Sequence, residues 1–365
     1  MHVPFVPCLV LSAGQGQADT AALLEHLCQF HCNNFGIVNS LFTPEGAGCY
    51  PWGALLNHGC DGNCVLTYAP DPVTRRPQQV IRCIEAVPAG GELVHAYCDA
   101  ILPVSARQAQ LCNDYFFECS CARCTDQHQA LAAAAEVDSG GASAPASASA
   151  ASSTSSTSTR TASSTTATVA TGQYRAAVLW GLICPGVPAP WCSPAAYRAS
   201  PASLRDTARL AMRAAMEAIG EPHALPQYGA ALGYLLAGGA DPLAEPAVVE
   251  TLNGLVDDSL ITQRYDVTAA ALTWILTCYR TAYPSSHPMI GLQLFMLGDV
   301  MVEVHTAGGT ACTDLTSDKE HVMVDWRKKR AAVRREARVA LSATHGTDHA
   351  MVGMLADSEG YGIAP

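Results

Sequence analysis

Three cysteines near residue 120 are spaced as ligands of a metal ion. They form the segment Cys119-x-Cys121-x-x-Cys124, which offers three thiolates close together in the chain. A structural Zn²⁺ site takes four ligands at the corners of a tetrahedron, so a fourth ligand must come from elsewhere. The residues that could supply it are Cys60, Cys64, Cys98, Cys112 and His128. Spacing this dense favours a metal site over the alternatives, which are reduced core cysteines or a redox pair.

A polar segment surrounds one of these candidate ligands. It reads Asn57-His58-Gly59-Cys60-Asp61-Gly62-Asn63-Cys64, and it follows directly on Gly48-Cys49-Tyr50-Pro51-Trp52-Gly53-Ala54-Leu55-Leu56. Downstream lies Gly91-Glu92-Leu93-Val94-His95-Ala96-Tyr97. With the cysteines, these segments resemble the C-terminal half of a SET domain of the SET-and-MYND family of lysine methyltransferases, over roughly residues 31–124. Gly59 and Gly62 replace the serine and proline of the family's motif, and we expect both glycines to loosen the backbone there.

The resemblance implies two cofactors, S-adenosylmethionine and Zn²⁺, and a protein lysine as the methyl acceptor. Among the candidate fourth ligands it selects Cys60, which gives the zinc set Cys60, Cys119, Cys121 and Cys124. Such a cross-link closes a long loop and fixes the cysteine segment against the cofactor-binding segment.

The resemblance also assigns roles to individual side chains. Tyr97 is the catalytic residue, whose hydroxyl lies by the transferring methyl group and orients the lysine amine. Phe35 lines the lysine channel with Tyr97. The residues implied in cofactor binding are Asn33, Asn57, His58 and Phe117. The alternative for Phe35 and Phe117 is plain core packing, and for Tyr97 it is a buried strand tyrosine.

This reaction is an in-line displacement at a sulfonium methyl group, and it sets three requirements. The reactants must be aligned, which converts an encounter of two bodies into a positioned one. The amine must be deprotonated, which an apolar aromatic channel favours because desolvation lowers the pKa of a lysine. Aromatic faces and oxygen atoms then stabilise the moving positive charge.

Composition excludes several other classes of protein. The chain has 365 residues, 49% of them apolar, and a net charge of −11. An acidic chain is a poor general binder of nucleic-acid backbone, and the same acidity argues against a zinc knuckle that reads RNA. No apolar run approaches the length needed to span a bilayer, and no convincing signal peptide precedes the 16 cysteines. We therefore expect reduced or metal-bound thiols in the cytoplasm, the nucleus or both, with no direct nucleic-acid or membrane partner.

Residues 1–128 carry all the motifs above and have the pattern of an irregular β domain. Three short runs rich in Val, Ile, Leu or Tyr predict strands, and turn residues separate them. The runs are Cys64–Tyr68, Val80–Val87 and Glu92–Tyr97. Residues 129–172 form an Ala/Ser/Thr tract with too little apolar surface to offset chain entropy, which predicts a flexible insert with a brief helical start.

Residues 173–365 predict helices. Apolar residues recur at three- and four-residue spacing in Leu204–Ile219, Val267–Tyr279 and Ile290–Val304. The segment from Tyr283 to Gly298 resembles the signature of the family's TPR-like helical domain, and Thr344-His345-Gly346-x-x-His349 resembles the start of its last helix pair. We interpret His287, next to Pro288, as a packing and capping residue at a helix entry. The fold expected is α+β: the C-terminal half of a SET domain with its zinc site, then an all-α TPR-like domain.

Two hypotheses about function follow. Members of this family begin with a Gly-rich cofactor loop and a MYND zinc finger, whereas only 56 residues precede Asn57 here, and Gly14-x-Gly16 is interpreted as a loop. We therefore expect a chain that lacks the first lobe. The first hypothesis is a SET-type protein-lysine methyltransferase that acts on a lysine-bearing protein. The alternative is a catalytically inactive scaffold that binds a protein partner through its helical domain.

Overall fold

The computed structural model describes residues 33–139, 161–306 and 326–357, together with residues 25, 28 and 29. Gly14-x-Gly16 and the middle of the Ala/Ser/Thr tract, residues 140–160, lie outside these ranges. The described part is an α+β arrangement in which a small β region precedes a larger helical region.

The strands of the described residues form three two-stranded sheets. Strands β1 with β2 and β4 with β5 are antiparallel hairpins, and β3 pairs with β6 in parallel. Their bounds are β1 Asn34–Val38, β2 Pro44–Cys49, β3 Asn57–His58, β4 Cys64–Pro70, β5 Pro77–Cys83 and β6 Val94–His95.

The first predicted run lies within β4, but the other two are shorter as strands than the sequence predicts. The second run is a strand only as far as Cys83, because its partner β4 begins at Cys64. The third keeps only Val94–His95, because β3 offers just two residues before the chain turns at Gly59. This short parallel pair sets His58 beside His95 and brings the polar segment against the strand that leads to Tyr97.

Two helices complete the β region. Helix α1 spans Val104–Tyr115 and helix α2 spans Ala122–Ser139. Helix α1 ends at Phe116, whose backbone is left-handed with φ of 62° and so reverses the chain direction. The Gln108 side chain then holds the returning chain, since its amide donates to the Cys119 carbonyl at 2.6 Å and accepts from the Cys119 N–H at 2.8 Å. The cysteine segment is thereby fixed against α1.

Nine described helices form the helical region. Their bounds are α3 Thr161–Ile183, α4 Pro194–Arg198, α5 Pro201–Glu217, α6 Ala224–Ala237, α7 Pro246–Ile261, α8 Tyr265–Ala282, α9 Pro288–Thr306, α10 Trp326–His345 and α11 Ala350–Asp357. From α5 to α11, each helix packs against the next helix along the chain. The predicted amphipathic segments Val267–Tyr279 and Ile290–Val304 lie in α8 and α9, and Leu204–Ile219 lies in α5 except for its last two residues. Trp274, Leu252 and Leu294 are among the side chains fully or almost fully removed from solvent in their shared core.

Both ends of the predicted insert are helical in the structure. Residues 129–139 continue α2, and residues 161–172 begin α3. Residues 130–135 are mostly alanine, which has the highest helix propensity and favours extension of α2 once a neighbouring turn is formed. Residues 161–172 are rich in Thr and Ser, so propensity does not account for the start of α3. Helix α3 is anchored further along by Ala176, Leu179 and Trp180, which are buried.

Helix α9 is the one described helix long and apolar enough, by length and composition, to cross a membrane. The sequence reading found no such run. Ile290, Leu294 and Met301 of this helix are nonetheless buried, and α9 packs against α8 and α10. Core helices of folded domains have the same composition, and the packing identifies α9 as one of them.

Polar contacts join the two regions. Arg123 of α2 donates to the carbonyl of Ala282 and, at 2.6 Å, to that of Ala100. The Tyr283 hydroxyl donates to the Asp99 carboxylate. Farther along, Arg82 donates to the His345 carbonyl at 3.2 Å. The end of α8 is therefore held against the segment that follows Tyr97.

Candidate metal centre and active site

Four cysteine sulfur atoms meet where the β region, the segment after α1 and the start of α2 converge. The Sγ atoms of Cys60, Cys119, Cys121 and Cys124 all lie within 4.8 Å of one another. Cys60 Sγ is 3.5 Å from Cys124 Sγ and 4.0 Å from Cys119 Sγ. Sulfur ligands about 2.3 Å from a tetrahedral Zn²⁺ lie about 3.8 Å apart, so these four residues fit such an ion.

Two thiols of the cluster resist ionisation in the absence of a cation. Hydrogen bonding with Cys98 and burial raise the pKa of Cys60, and burial raises the pKa of Cys124 to about 11. Thiols with such pKa values ionise together only when positive charge stabilises them, and a divalent ion supplies that charge.

A buried arginine provides further positive charge beside the sulfur atoms. Arg107 of α1 is fully buried. Its Nε donates to Cys60 Sγ at 3.2 Å, and its Nη2 donates to Cys124 Sγ at 3.6 Å and to Gln127 Oε1 at 2.6 Å. A buried guanidinium needs anionic or polar partners, and thiolates satisfy it. No sequence feature indicated this role, because Arg107 lies among the polar residues of a short helix.

The other cysteines and the histidine considered as fourth ligands do not belong to this set of four, although Cys98 contacts Cys60. Cys64 is next to Cys83, and both Cys112 and His128 are exposed. Cys98 lies with His58 and Cys60 in a second, overlapping group. The geometry therefore brings Cys60, rather than the alternatives, to the three clustered cysteines.

His58 links this cluster to Tyr97. Its Nδ1 accepts the backbone N–H of Tyr97 at 2.9 Å, and its Nε2 lies 3.2 Å from Cys60 Sγ. Burial, and then the charge of Arg107, lower the pKa of His58 to about 4, which keeps the ring neutral. With Nδ1 as acceptor, the proton is on Nε2 and points at the sulfur. Both ring nitrogens are thus engaged inside the protein, and a cofactor would meet the ring face or the backbone of His58.

Tyr97 lies at the centre of an aromatic group. Its ring centroid is 4.8 Å from those of His95 and Tyr115, 5.3 Å from that of His58 and 6.5 Å from that of Phe117. The hydroxyl donates to the Leu56 carbonyl at 2.5 Å. Burial raises the pKa of Tyr97, so the phenol keeps its proton at neutral pH. Because that proton is directed at Leu56, the oxygen faces other groups as a hydrogen-bond acceptor.

Tyr97 also lines a cavity of about 380 Å³. The β region contributes apolar and aromatic walls that include Phe35, Val65 and Tyr68, and the helical region contributes Tyr283 and His287. Asp99 places a carboxylate in the wall and accepts the Tyr283 hydroxyl. The ring of His287 stacks on that of Tyr283 with centroids 4.1 Å apart, and its Nδ1 accepts the Met289 N–H at 3.3 Å. His287 is therefore a capping and packing residue that also forms part of the cavity wall.

The residues implied in cofactor binding lie outside the lining of this cavity. Asn33 and Asn57 are exposed, and the Asn57 amide donates to Glu92 Oε1 at 2.6 Å. Phe117 is half-buried, with its ring centroid 5.9 Å from that of His58. Phe35, in contrast, is buried in the cavity wall, with its ring centroid 6.0 Å from that of His95.

Two residues of the polar segment hold the site together: Asn63, for which the sequence indicated no role, and Gly62, which was expected to loosen the backbone. The Asn63 side chain donates to the Glu92 carbonyl at 2.8 Å and accepts the Val94 N–H at 3.0 Å, which ties the polar segment to β6. Gly62 lies so close to β6 that a Cβ there would be 2.9 Å from His95 Cα. The lack of a side chain thus serves close packing. Asn63 lies within the polar segment that carried the resemblance, and that position was a signal for it.

Comparisons with known proteins find lysine methyltransferases that are similar to less than a third of this chain. No protein-family model matches the chain. Histone-lysine N-methyltransferase SMYD3 of Mus musculus is 36% identical over 105 residues, which are 29% of this chain and 23% of that protein. N-lysine methyltransferase SMYD2-A of Danio rerio is 31% identical over 109 residues, 30% of this chain and 24% of that protein. Histone-lysine N-methyltransferase ASHR1 of Arabidopsis thaliana is 29% identical over 108 residues, 30% of this chain and 21% of that protein. The matched part spans less than a quarter of the length of each relative.

Proposed function

We propose that this member of the SET-and-MYND family of lysine methyltransferases transfers methyl groups from S-adenosylmethionine to lysine side chains of proteins. The relatives that it matches are named as lysine methyltransferases, two of them as histone-lysine enzymes. The proposal assigns residues 1–128 to the C-terminal portion of a SET domain with its zinc cluster, 129–172 to an insert and 173–365 to a TPR-like domain. Its partners are lysine-bearing proteins, in the cytoplasm, the nucleus or both.

The observation that carries the proposal is the setting of Tyr97. Its hydroxyl proton is directed at the Leu56 carbonyl, and its ring lines the cavity beside Phe35 and His95. A lysine amine that enters this cavity donates an N–H to the phenol oxygen, and this contact aims the nitrogen lone pair away from Tyr97. Positioning of this kind is worth a large share of a displacement barrier.

The cavity also favours the reactive form of the lysine. Its walls include Phe35, Val65 and Tyr68, and desolvation by such walls lowers the pKa of a primary amine. The Asp99 carboxylate attracts the cationic lysine. The Tyr283 hydroxyl donates a hydrogen bond to this carboxylate and holds the carboxylate in place. Asp99 is exposed whereas Phe35 and Val65 are buried, so the carboxylate attracts the lysine from solvent and the buried walls favour the neutral amine at Tyr97.

Cofactor binding is assigned to Asn33, Asn57, His58 and Phe117, with the face of the His58–Phe117 ring pair next to Tyr97. S-adenosylmethionine supplies an electrophilic sulfonium methyl group when bound there. Two observations support this face. Phe117 and His58 are in ring contact with Tyr97 without lining the cavity, so a group bound against them approaches Tyr97 from outside the lysine channel. The exposed Asn57 amide, oriented by Glu92, offers polar contacts on that surface.

A methyl-transfer assay with matched tyrosine variants tests the proposal. The zinc-loaded chain is incubated with radiolabelled S-adenosylmethionine and a mixture of lysine-bearing proteins, beside Tyr97→Phe and Tyr68→Phe. Tyr68 lines the same cavity, but its hydroxyl accepts from Gln79 at 3.2 Å. We expect labelling to fall about 10- to 1,000-fold in Tyr97→Phe, the scale of one positioned polar group, and to change little in Tyr68→Phe.

Equal labelling by the parent chain and Tyr97→Phe contradicts the role of Tyr97. If no variant labels protein and isothermal titration detects no cofactor binding, methyl transfer by this chain is contradicted and the interaction scaffold replaces it as the function.

A further inference from the structure

Two cysteines outside the metal cluster face each other across the β4–β5 hairpin. Cys64 and Cys83 are direct partners in the antiparallel register, and their Sγ atoms lie 3.7 Å apart. Cys64 is buried, whereas Cys83 is exposed. Neither belongs to the four-cysteine cluster. The pair therefore combines one thiol that solvent reaches with a second thiol within contact distance.

The position of this pair in the ladder suits a disulfide bond. The Ile84 N–H donates to the Asn63 carbonyl at 2.8 Å, and at the far end the Asp71 N–H donates to the Arg76 carbonyl at 2.8 Å. Hydrogen-bonded pairs therefore fall on Asn63 and alternate residues of β4, which places Cys64 and Cys83 at a non-hydrogen-bonded pair. Cα atoms of such pairs lie about 4.5 Å apart. Disulfides span Cα separations of about 4.4 to 6.8 Å, so a bond forms here without a change of register.

We propose that Cys64 and Cys83 form a reversible disulfide whose oxidant is a small-molecule disulfide of the glutathione class. Exposed Cys83 reacts first. Its thiolate attacks one sulfur of oxidised glutathione, a mixed disulfide forms, the S–S bond of the oxidant breaks, and one glutathione thiolate leaves. The Cys64 thiolate then attacks the Cys83 sulfur, which forms the protein disulfide and expels the second glutathione thiolate. The two thiols give up two electrons and two protons, and the oxidant becomes two molecules of reduced glutathione.

The environment of each sulfur sets the order of these steps. Burial raises the pKa of Cys64 to about 11, and the neighbouring Cys83 adds to the rise. A thiol with that pKa is rarely a thiolate at neutral pH, so it reacts poorly with an oxidant in solution. Its sulfur nevertheless lies beside Cys83, and the high effective concentration of such a neighbour offsets the small thiolate fraction.

The bond has a structural consequence for the cavity. Cys64 lines the cavity that contains Tyr97, so oxidation replaces a thiol in that wall with a disulfide sulfur. It also closes the open end of the hairpin, opposite the Asp71–Arg76 turn. The adjacent Arg82 contacts the His345 carbonyl of α10, so the fixed end of β5 is also the end that touches the helical region.

Mass spectrometry of the zinc-loaded full chain tests the proposal. The chain is equilibrated with oxidised and reduced glutathione, remaining thiols are alkylated, and the protein is digested without reduction. We expect a linked peptide pair that contains Cys64 and Cys83, about 2 Da lighter than the two reduced peptides together. Zinc content should be unchanged, and dithiothreitol should separate the pair. Cys83→Ser should abolish the linked pair, whereas Cys112→Ser, which removes another exposed thiol, should leave it intact.

Three results overturn the proposal. In the first, Cys83 remains a stable mixed disulfide with glutathione. In the second, Cys64 and Cys83 stay reduced in the most oxidising buffer. In the third, only the four clustered cysteines are oxidised, and zinc is released. None of these readouts depends on methyl transfer, so this proposal and the proposed function succeed or fail separately.

Discussion

The imidazole of His58 holds the backbone of Tyr97, because its Nδ1 accepts the Tyr97 N–H at 2.9 Å. Its other nitrogen lies 3.2 Å from the sulfur of Cys60. One ring therefore connects the four-cysteine cluster with the residue proposed to orient the lysine amine. A change at the sulfur atoms would therefore reach Tyr97 through a single rigid group, so a metal ion bound by the cluster would affect the geometry at Tyr97 as well as folding.

Removal of the metal should loosen Tyr97. We expect one zinc per molecule, and a chelator or Cys121→Ser should release it because a tetrahedron without one ligand binds the ion weakly. Cys60 then shifts, the His58 ring loses its fixed position, and the Tyr97 amide opens more often. Hydrogen-exchange mass spectrometry should show faster exchange in the peptide that contains Tyr97, while a peptide from α8 keeps its protection. Unchanged exchange at Tyr97 after complete loss of zinc would disprove the link.

Arg107 should contribute to metal affinity through its charge and its shape. Arg107→Met fills a similar volume without N–H donors, and we expect zinc affinity to fall about 10- to 100-fold, the usual effect of losing a group that supports metal ligands. Arg107→Lys keeps the charge but not the two-pronged contact with Cys60 and Cys124, so it should fall between the parent and the Met variant. Competition with a zinc-binding dye measures all three. Equal affinities would show that the guanidinium serves packing alone.

Sequence reasoning predicted the four cysteines that the structure brings together more completely than it predicted their surroundings. Dense spacing marked Cys119, Cys121 and Cys124, and the family resemblance selected Cys60. The role of Arg107 was not predicted, because a sequence does not show which face of a short polar helix is buried. The contact between Cys64 and Cys83 was not predicted for another reason. Contact between them depends on the register of a hairpin, and register is set by turn geometry that the sequence only outlines.

Gly62 should tolerate a side chain less well than Gly59. A Cβ on Gly62 would meet backbone atoms of β6, with 2.9 Å to His95 Cα, whereas one on Gly59 would meet the Val94 side chain at 3.0 Å. Side chains move aside more easily than backbone. We expect Gly62→Ala to lower the free energy of unfolding by about 1–3 kcal/mol and Gly59→Ala to lower it by less than about 1 kcal/mol. Urea unfolding of the zinc-loaded variants measures both, and a larger loss for Gly59→Ala would contradict the packing account.

His287 should make the chain less stable in acid. Burial lowers the pKa of His287 from 6.5 to about 4. Between pH 6.5 and pH 4, His287 is therefore protonated in the unfolded chain but neutral in the folded chain. Stability from this residue is therefore fully present above about pH 6.5 and is lost as the pH falls toward 4, by an amount on the order of 1–3 kcal/mol.

His287→Asn removes the titration and keeps an acceptor for the Met289 N–H. Acid also protonates the zinc ligands, but it does so in both proteins, so the difference between them isolates His287. Unfolding free energies measured from pH 7 to pH 4.5 should fall more steeply for the parent chain than for His287→Asn. Parallel curves would show that protonation of His287 does not contribute to the loss of stability in acid.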